Sequence, residues 1–511
     1  MISISRTQYE ALQAENAELS KQVRWLMEQI RLNRQKRFGS SSEKSQYDSL
    51  DLFNEAEVTA NEKEAEPELT EIQTHYRKKA KQSSDRLPED LPVEIIEHSL
   101  EDDSCPTCAA KLHVMGKKVR RELKLIPARA VIVEHIHYVY SCRNCEKNGI
   151  AVPVLKAPAL QPVIAGSFAS PEAVAHLMTQ KFAMGLPLYR QEQEWRRMGI
   201  ELSRQTMSNW LLRCAEDWLE PIYRQMQRRL CEEEILHADE TVLQVLHEPG
   251  KAAQSKSYMW VYRTGSETAM PLILFDYQPD RKAKRPQEFL KDFQGYLHTD
   301  GYGGYQSLPD TIVTVGCWAD ARRKFDEALK SIPEKDRQGS GAAQGKRYCD
   351  ELFAIERKLS ECTTQERHTK RQELAKPVLD EFLSYLHTSK ASTKSGFGRA
   401  VHYTLNQWKY LERYLLDGRL EISNNRAERS VKPFVIDRKN FLFANTPRGA
   451  KASAIIFSLI ETAKENGLNP YTYLTYIFKE APNLELQTNP DAVNKLLPSA
   501  VPKSCKANAV T

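Results

Sequence analysis

Strand-forming segments between residues 234 and 318 constrain the fold of this chain more than any other feature. Three runs rich in β-branched and aromatic residues follow one another, "EILHADETVLQVLH", "SYMWVYRTG" and "MPLILFDYQ", and they predict three successive strands. A short helix over residues 286–293 leads to a fourth strand within "GYLHTDGY", which ends at Asp300, and "TIVTVGCW" predicts a fifth. This pattern predicts a sheet in which three antiparallel strands precede helix-linked strands.

The order of these strands is that of an RNase H-like α/β core. We predict the first part of this core over residues 226–320 and the second part over 421–466. Residues 321–420 have a helical pattern with breaks at "QGSGAAQG" and "KSGFG", and they predict an all-helical insertion. Because 511 residues are too many for a single core, the fold class is a multidomain α+β protein.

Three carboxylates lie at defined points of this predicted core. Asp239 is in the first strand, Asp300 ends the fourth, and Glu428 opens the helix after the insertion. Each has a simple structural alternative: a polar residue at a strand end, an Asp-Gly turn, or a capping box formed by Asn425 and Glu428. Alternation along the strand sends Asp239 and the adjacent Glu240 to opposite faces, so Glu240 is the poorer ligand candidate.

Considered jointly, the three carboxylates predict a metal centre. The first and fourth strands of an RNase H-like sheet are neighbours, so Asp239 and Asp300 converge, and a helix across that edge brings Glu428 within reach. Magnesium binds one or two carboxylates together with waters and substrate phosphates. We therefore predict two Mg²⁺ ions per site, with Mn²⁺ as a substitute, in an arrangement suited to phosphodiester chemistry.

The N-terminal segment has a heptad pattern. Apolar residues and one Asn recur at seven-residue spacing, at Tyr9, Asn16, Val23 and Ile30 and at Leu12, Leu19 and Leu26. This pattern predicts a dimerising coiled-coil helix over residues 1–36, and an amphipathic helix packed on its own protein is the alternative. Residues 37–97 change from acidic to basic and contain few aromatic residues, which is typical of a linker.

Two C-x-x-C pairs predict a zinc ribbon over residues 98–155. Cys105 and Cys108 form "CPTC", and Cys142 and Cys145 form "CRNC". Each pair places two thiolates on one tight turn, which suits one tetrahedral structural Zn²⁺. The segments "RRELKLI" and "AVIVEHIHYVYS" between the pairs predict strands.

Residues 156–225 predict a helix-turn-helix DNA-binding region. Two helical segments flank Gly199, and Ser203 is expected to cap the second helix. In that helix we expect a core-facing set and an outward set that contacts bases and phosphates. The core-facing set is Met207, Trp210 and Leu211, and the outward set is Arg204, Gln205, Ser208 and Asn209. A generic helical hairpin is the alternative.

Composition adds limits to these predictions. Lys and Arg number 73 against 68 acidic residues, so the net charge of +5 permits nucleic-acid binding without requiring it. No apolar run reaches the length of about 18 residues typical of a membrane span, and no membrane partner is expected. Ten cysteines, only four of them in tight pairs, fit a reducing cytoplasm. We expect residues 467–511 to contain a C-terminal motif and a disordered tail.

The chain resembles the insertion-sequence-66 family of transposases, which are bacterial DDE-type enzymes, over nearly its whole length. The similar motifs are "RFGSSSEK", the two Cys pairs, "LPLYRQEQEWRRMGIELSRQTMSNW", "HADET", "HTDGYGGY", "GCWADARRKF", "NNRAERSVKPF", "DRKNFLFAN" and "GLNPYTYL". The resemblance implies that Asp239, Asp300 and Glu428 are the catalytic triad. Asp320 departs from the family pattern "CWAHARRKF", which has His at this position, and its role stays open.

The resemblance implies DNA cleavage at the terminal inverted repeats and strand transfer into target DNA. It also implies a protein of the bacterial cytoplasm, near the nucleoid, that acts as a homodimer or larger assembly, with accessory proteins of the same element as possible partners. Arg429, Lys432, Arg438 and Lys439 flank Glu428 and are candidates to hold phosphates, although solvated surface charge explains any one of them equally well. Two alternatives remain: a dimeric zinc-containing DNA-binding protein with an inert core, and a nuclease that cuts without joining.

Overall fold

The computed structural model describes residues 130–141, 148, 154–156, 160–486 and 489–507, together with single positions between 13 and 27. Contacts divide the chain into two compact units, residues 1–40 with 135–507 and residues 41–134 with 508–511. All helices and strands named below belong to the first unit. Within the described ranges, no helix is both long enough and apolar enough to cross a membrane.

The described positions of the N-terminal segment are helical. Leu19, Val23 and Leu26 of the predicted heptad are each about half exposed. An apolar seam left exposed by a single chain is what a dimeric coil requires. Tyr9, Leu12 and Ile30 lie outside the described residues, so the dimeric coil stays a prediction.

Two short strands form the first sheet. Strands β1 (Val139–Ser141) and β2 (Val154–Lys156) are antiparallel, with Val139 opposite Lys156. The predicted strand over "AVIVEHIHYVYS" is wrong for residues 130–138, which have no regular structure and are exposed. The four zinc-ligand candidates Cys105, Cys108, Cys142 and Cys145 lie outside the described residues, as does "RRELKLI".

Within residues 160–234, four α-helices precede the main sheet. They are α1 (Pro171–Phe182), α2 (Leu188–Arg197), α3 (Arg204–Cys214) and, after one π-helical turn, α4 (Glu220–Cys231). Helices α2 and α3 form a helix-turn-helix-like pair, in which Gly199 takes a positive φ of 80° that favours glycine. The Ser203 cap is confirmed, because its hydroxyl accepts the Thr206 N–H at 3.1 Å. Met207, Trp210 and Leu211 are buried, as predicted.

The main sheet has five strands in the order β5-β4-β3-β6-β7. Its elements are β3 (Ile235–Gln244), β4 (Lys256–Thr264), β5 (Ile273–Gln278), helix α5 (Lys284–Phe289), β6 (Gly295–His298) and β7 (Ile312–Val315). Strands β3, β4 and β5 pair antiparallel, whereas β6 pairs parallel with both β3 and β7. The five predicted strands are therefore confirmed, and the first and fourth are neighbours.

A helical segment follows β7 and has its own hydrophobic core around Trp318, Phe325 and Phe382. Its helices are α6 (Trp318–Lys330), α7 (Glu334–Arg337), α8 (Gly341–Lys358), α9 (Thr364–Thr388) and α10 (Gly396–Leu411). Helix α6 begins three residues before the predicted boundary of the insertion. The buried Trp318 indole donates to the Leu411 carbonyl at 2.9 Å. This hydrogen bond joins the first helix of the segment to its last.

The final helices return to the sheet. They are α11 (Asn425–Phe441), α12 (Pro447–Glu465), α13 (Pro470–Glu480) and α14 (Pro490–Asn494). Helix α12 covers the edge strand β5: Ser458 Oγ accepts the Phe275 N–H at 2.8 Å, and Thr462 Oγ1 accepts the Ile273 N–H at 3.0 Å. Two edge N–H groups of the strand are thereby blocked from pairing with another chain.

The predicted disordered tail is wrong for residues 489–507. Leu496 and Leu497 are buried, and the Tyr473 hydroxyl donates to the Leu496 carbonyl at 2.8 Å. The polar and Pro-rich composition suggested little burial, but a few spaced apolar side chains are enough to dock this segment on α13. They join the same hydrophobic core as the sheet and helices α1–α4.

Candidate metal centre

The pairing of β3 and β6 ends two residues before Asp239 and Asp300. Because His237 lies opposite His298 in this parallel pair, continuing the register by two residues pairs position 239 with position 300. Strand β6 ends at His298, and Asp300 starts a turn in which its Oδ1 accepts the Tyr302 N–H at 2.9 Å. The turn alternative for Asp300 is thus correct, but this turn hydrogen bond engages only one of its two carboxylate oxygens.

Helix α11 is held against β3 by Asn424, the residue before its first turn. The Asn424 amide donates to the Ala238 carbonyl at 2.8 Å, its Oδ1 lies 3.1 Å from His237 Nδ1, and its own N–H donates to Cys317 Sγ at 3.3 Å. No side chain caps this helix end, so the capping-box alternative for Asn425 and Glu428 is wrong. The amide that could have capped the helix binds the strand instead.

Asp239 is the carboxylate with the most unusual environment. Its Oδ1 accepts the Glu240 N–H at 2.8 Å, and among the described residues it forms no ion pair. Burial raises the pKa of Asp239 well above its ordinary value, and the negative charges of Glu240, Asp300 and Glu428 raise it further. Asp300 and Glu428 therefore lie close enough to act electrostatically on Asp239, and an added cation would stabilise all three charges.

Glu240 has protein partners on the opposite face of β3. Its carboxylate accepts from the Tyr305 hydroxyl at 2.7 Å and from Arg281 Nε at 2.7 Å. Arg281 also lies 3.9 Å from Asp300 Oδ2. Glu240 is thus engaged within the protein, as its position in the strand alternation predicted.

Asp320 lies beside Glu428, an arrangement that sequence reasoning left open. Arg323 connects the two carboxylates, since its Nη1 is 2.7 Å from Asp320 Oδ1 and its Nη2 is 3.5 Å from each oxygen of Glu428. Burial raises the pKa of Asp320 to about 6; Arg323 opposes this shift, whereas the charge of Glu428 adds to it. Cys317 Sγ completes a group whose ligand atoms lie within 4.8 Å of one another.

Two histidines that we did not assign lie beneath the aspartates. His237 and His298 are fully buried and stack with ring centroids 4.3 Å apart. Each stands two residues before an aspartate, so the repeated H-x-D pattern was the available signal. Burial lowers the pKa of His237 to about 3, which leaves a neutral ring that donates from Nδ1 to Asn424.

The DNA-contact candidates differ in exposure. In α3, Ser208 is half-buried, and the exposed candidates are Arg204, Gln205 and Asn209. In α11, the exposed candidates are Arg429 and Lys439, and the half-buried ones are Lys432 and Arg438. Arg204 Nε lies 3.7 Å from Glu192 Oε2, so this ion pair partly neutralises the positive charge of Arg204. Arg438 donates to Thr241 Oγ1 at 3.0 Å and so holds α11 on β3.

Comparison with protein-family models gives four matches along the chain. The model described as "Transposase IS66 family" matches residues 166–452, the "zinc-finger binding domain of transposase IS66" matches 102–146, and the "IS66 C-terminal element" matches 458–499. A fourth, "Transposase C of IS166 homeodomain", matches residues 25–96 and overlaps the segment predicted as a linker.

Curated relatives cover most of the chain. The protein named y4jD of Sinorhizobium fredii, described as uncharacterized, is 30% identical over 84% of this chain and 85% of its own length. A second uncharacterized protein of that organism, y4qI, is 29% identical over 83% of this chain and 80% of its own length.

Proposed function

The chain belongs to the insertion-sequence-66 family of transposases, and we propose that it cuts DNA at the ends of an insertion element and joins the freed 3′ ends to target DNA. Membership of this family makes the protein a DNA-acting transposase with a zinc-finger region. The two chemical steps, the residues that perform them and the identity of the metal are the proposed part.

The environment of Asp239 carries this proposal. Asp239 is half-buried, forms no ion pair among the described residues and feels the negative charges of Asp300 and Glu428, so its ionised form is disfavoured in the absence of a cation. Oxygen donors of this kind suit Mg²⁺ or Mn²⁺. The donor set therefore fits a divalent metal centre, with Asp239 and Asp300 as ligands of one ion and Asp239 and Glu428 as ligands of the other.

The strand order supports an RNase H-like core. Two parallel strands continue a three-stranded antiparallel sheet, and β3 pairs with β6 up to His237 and His298, two residues before Asp239 and Asp300, which supports the proposal that these carboxylates converge. We propose residues 226–320 and 421–466 as this core and 321–420 as its insertion. The second hydrophobic cluster supports this division, since most of its residues lie in the helical segment, with Ile235 and Val315 of the sheet at its edge.

When bound, Mg²⁺ would lower the pKa of the attacking water or hydroxyl and would stabilise the leaving 3′ oxygen. The residues of the chain orient the substrate around it. Arg429 follows Glu428 directly and Lys439 lies about three turns further along α11. Both are exposed and are proposed to hold DNA phosphates as charge-assisted donors. Asn424 and Arg438 fix α11 on β3 and so keep Glu428 at the same edge as Asp239.

The other segments are proposed to recognise and pair the element ends. Helix α3 presents Arg204, Gln205 and Asn209 to solvent, a surface suited to DNA bases and phosphates. The Cys pairs are proposed to bind one Zn²⁺. The heptad is proposed to join two protomers so that both ends are held together, with accessory proteins of the element as further partners.

A strand-transfer assay tests the proposal. Full-length protein is incubated with labelled element-end DNA, a target plasmid and Mg²⁺, and the products are separated on a denaturing gel. Joined product is the expected result. Binding without cleavage would instead identify a DNA-binding protein with an inert core, and cleavage without joining would identify a nuclease.

A further inference from the structure

The first turns of α6 and α11 bring a second group of possible ligands together. Sγ of Cys317, a carboxylate oxygen of Asp320 and a carboxylate oxygen of Glu428 all lie within 4.8 Å of one another. Two oxygens bound to one Mg²⁺ at about 2.1 Å are separated by at most about 4.2 Å. Small side-chain rotations are therefore enough for Asp320 and Glu428 to share an ion.

One carboxylate oxygen of Asp320 forms no hydrogen bond within normal distance and angle limits to the part of the chain that the structure describes, and the Cys317 thiol is a weak donor beside this carboxylate. The residue is only 8% exposed, and its Oδ2 is buried without a hydrogen-bond partner among the described residues. Burying a carboxylate oxygen without a hydrogen-bond partner has a cost in folding free energy. A ligand that binds this oxygen would remove that cost.

Arg323 already places a positive charge between the two carboxylates. Its contact with Asp320 is 2.7 Å, a normal charge-assisted distance, but both contacts with Glu428 are 3.5 Å, which is long for such a bond. The Arg323 side chain is also about one-third exposed, so it has a path to solvent. The weak contact with Glu428 can be exchanged for a cation without breaking a strong hydrogen bond.

Cys317 contributes less to binding a hard cation. Its Sγ accepts the Asn424 N–H at 3.3 Å and is buried. A neutral thiol is a poor ligand for Mg²⁺ and Mn²⁺, which prefer oxygen donors. The oxygens of Asp320 and Glu428 are therefore the donors expected to bind.

We propose that Asp320 and Glu428 together bind one hard divalent cation, Mg²⁺ or Mn²⁺, while the Arg323 guanidinium withdraws from Glu428. This inference deepens the proposed function and rests on it in one respect, since Glu428 is also a proposed ligand of the catalytic pair. With Asp320 beside Glu428, the proposed centre would contain four carboxylates instead of three.

Mn²⁺ binding to the full-length protein tests this site without relying on activity. Mn²⁺ alone is titrated into protein purified with zinc present, and free Mn²⁺ is followed by electron paramagnetic resonance. Asp320→Asn, which preserves side-chain size, is expected to weaken Mn²⁺ binding at one site by about tenfold or more. Asp326→Asn is the matched control, because Asp326 lies on the same helix but pairs with Lys330.

Arg323→Gln gives a second, opposite expectation. Removal of the guanidinium that competes for these carboxylates should tighten Mn²⁺ binding, whereas a purely structural ion-pair network should show no gain. Thermal unfolding of each variant verifies that it folds. Unchanged Mn²⁺ affinity and stoichiometry in folded Asp320→Asn would overturn the inference, as would weaker binding in folded Arg323→Gln.

Failure of this inference and failure of the proposed function give different results. If the wild type joins DNA but Asp320→Asn binds Mn²⁺ normally, the cation site is refuted and the transposase chemistry stands. If the wild type neither cuts nor joins DNA but Asp320→Asn loses Mn²⁺, the cation site stands and the proposed chemistry fails.

Discussion

Asn424→Ala should uncouple helix α11 from strand β3. In the wild type, the Asn424 amide bridges the Ala238 carbonyl and the His237 ring, and all of these groups are buried. Alanine leaves both partners without this contact, at about 1–3 kcal/mol for each buried group. The expected loss is therefore about 2–6 kcal/mol in the free energy of unfolding, a large fraction of typical stability.

The neighbouring Asn425 provides a matched control. It occupies the first position of α11, is half-buried, and its side chain makes no cap hydrogen bond. Urea unfolding of full-length protein, followed by tryptophan fluorescence, should show a clear loss for Asn424→Ala and a change within about 0.5 kcal/mol for Asn425→Ala. Strand cleavage should decline at least tenfold only in Asn424→Ala, because Glu428 loses its fixed position relative to Asp239.

The two asparagines separate two explanations of the same sequence. If Glu428 belonged to a capping box with Asn425, Asn425→Ala would itself lower the free energy of unfolding by about 0.5–2 kcal/mol. Equal or greater destabilisation by Asn425→Ala than by Asn424→Ala would therefore refute the assignment of Asn424 as the link between helix and strand.

Three further predictions concern the metals and one buried carboxyl. Asp239→Asn should abolish Mg²⁺-dependent cleavage and keep end binding in a gel-shift assay, whereas Asp326→Asn should cleave normally; equal cleavage by both would contradict the ligand assignment. Wild type should contain one zinc per chain by elemental analysis, and the double change Cys142→Ser with Cys145→Ser should remove it; folded wild type without zinc would exclude this module. Burial raises the pKa of Asp437 to about 7 against the opposing charges of nearby lysines. Ionisation is thus disfavoured in the folded state, and stability contributed by the neutral carboxyl should decrease as pH rises from about 4 to 7 and then stay level. Asp437→Asn should accordingly raise the unfolding free energy at pH 8 but not at pH 4, and an equal effect at both would contradict the titration.

Local patterns were sufficient to predict the strands and one helix end. Each strand segment is itself rich in β-branched and aromatic residues, and this composition can be seen without the remaining chain. Strands β3 to β7 therefore lie within a few residues of their predicted positions. The Ser203 cap depends on hydrogen bonds to residues three positions away. Such features need no knowledge of the remaining chain.

The pairing of β3 with β6 followed from the sequence pattern, whereas the role of Glu428 did not. The strand order predicted that β3 and β6 are neighbours, and their pairing ends two residues before Asp239 and Asp300. The pattern around Glu428 permitted either a cap or a ligand. Only the packing of α11, through Asn424, excluded the capping box.

Composition misled at the C-terminal end. Residues 489–507 are polar and Pro-rich on average, yet Leu496 and Leu497 have a preformed apolar surface to bury against. Average composition measures what a segment could bury alone, whereas docking depends on a surface supplied by residues elsewhere in the chain.

The amino-acid sequence by itself identified the family and predicted the strands, and it proposed the three carboxylates, because motifs and strand periodicity are properties of short segments. Only the tertiary structure decided that Asp320 and Arg323 join Glu428, and that His237 and His298 stack beneath the aspartates. Glu428 is 108 positions from Asp320, and His298 is 61 from His237. Contacts over such separations depend on how helices and strands pack, and no local pattern in the chain encodes them.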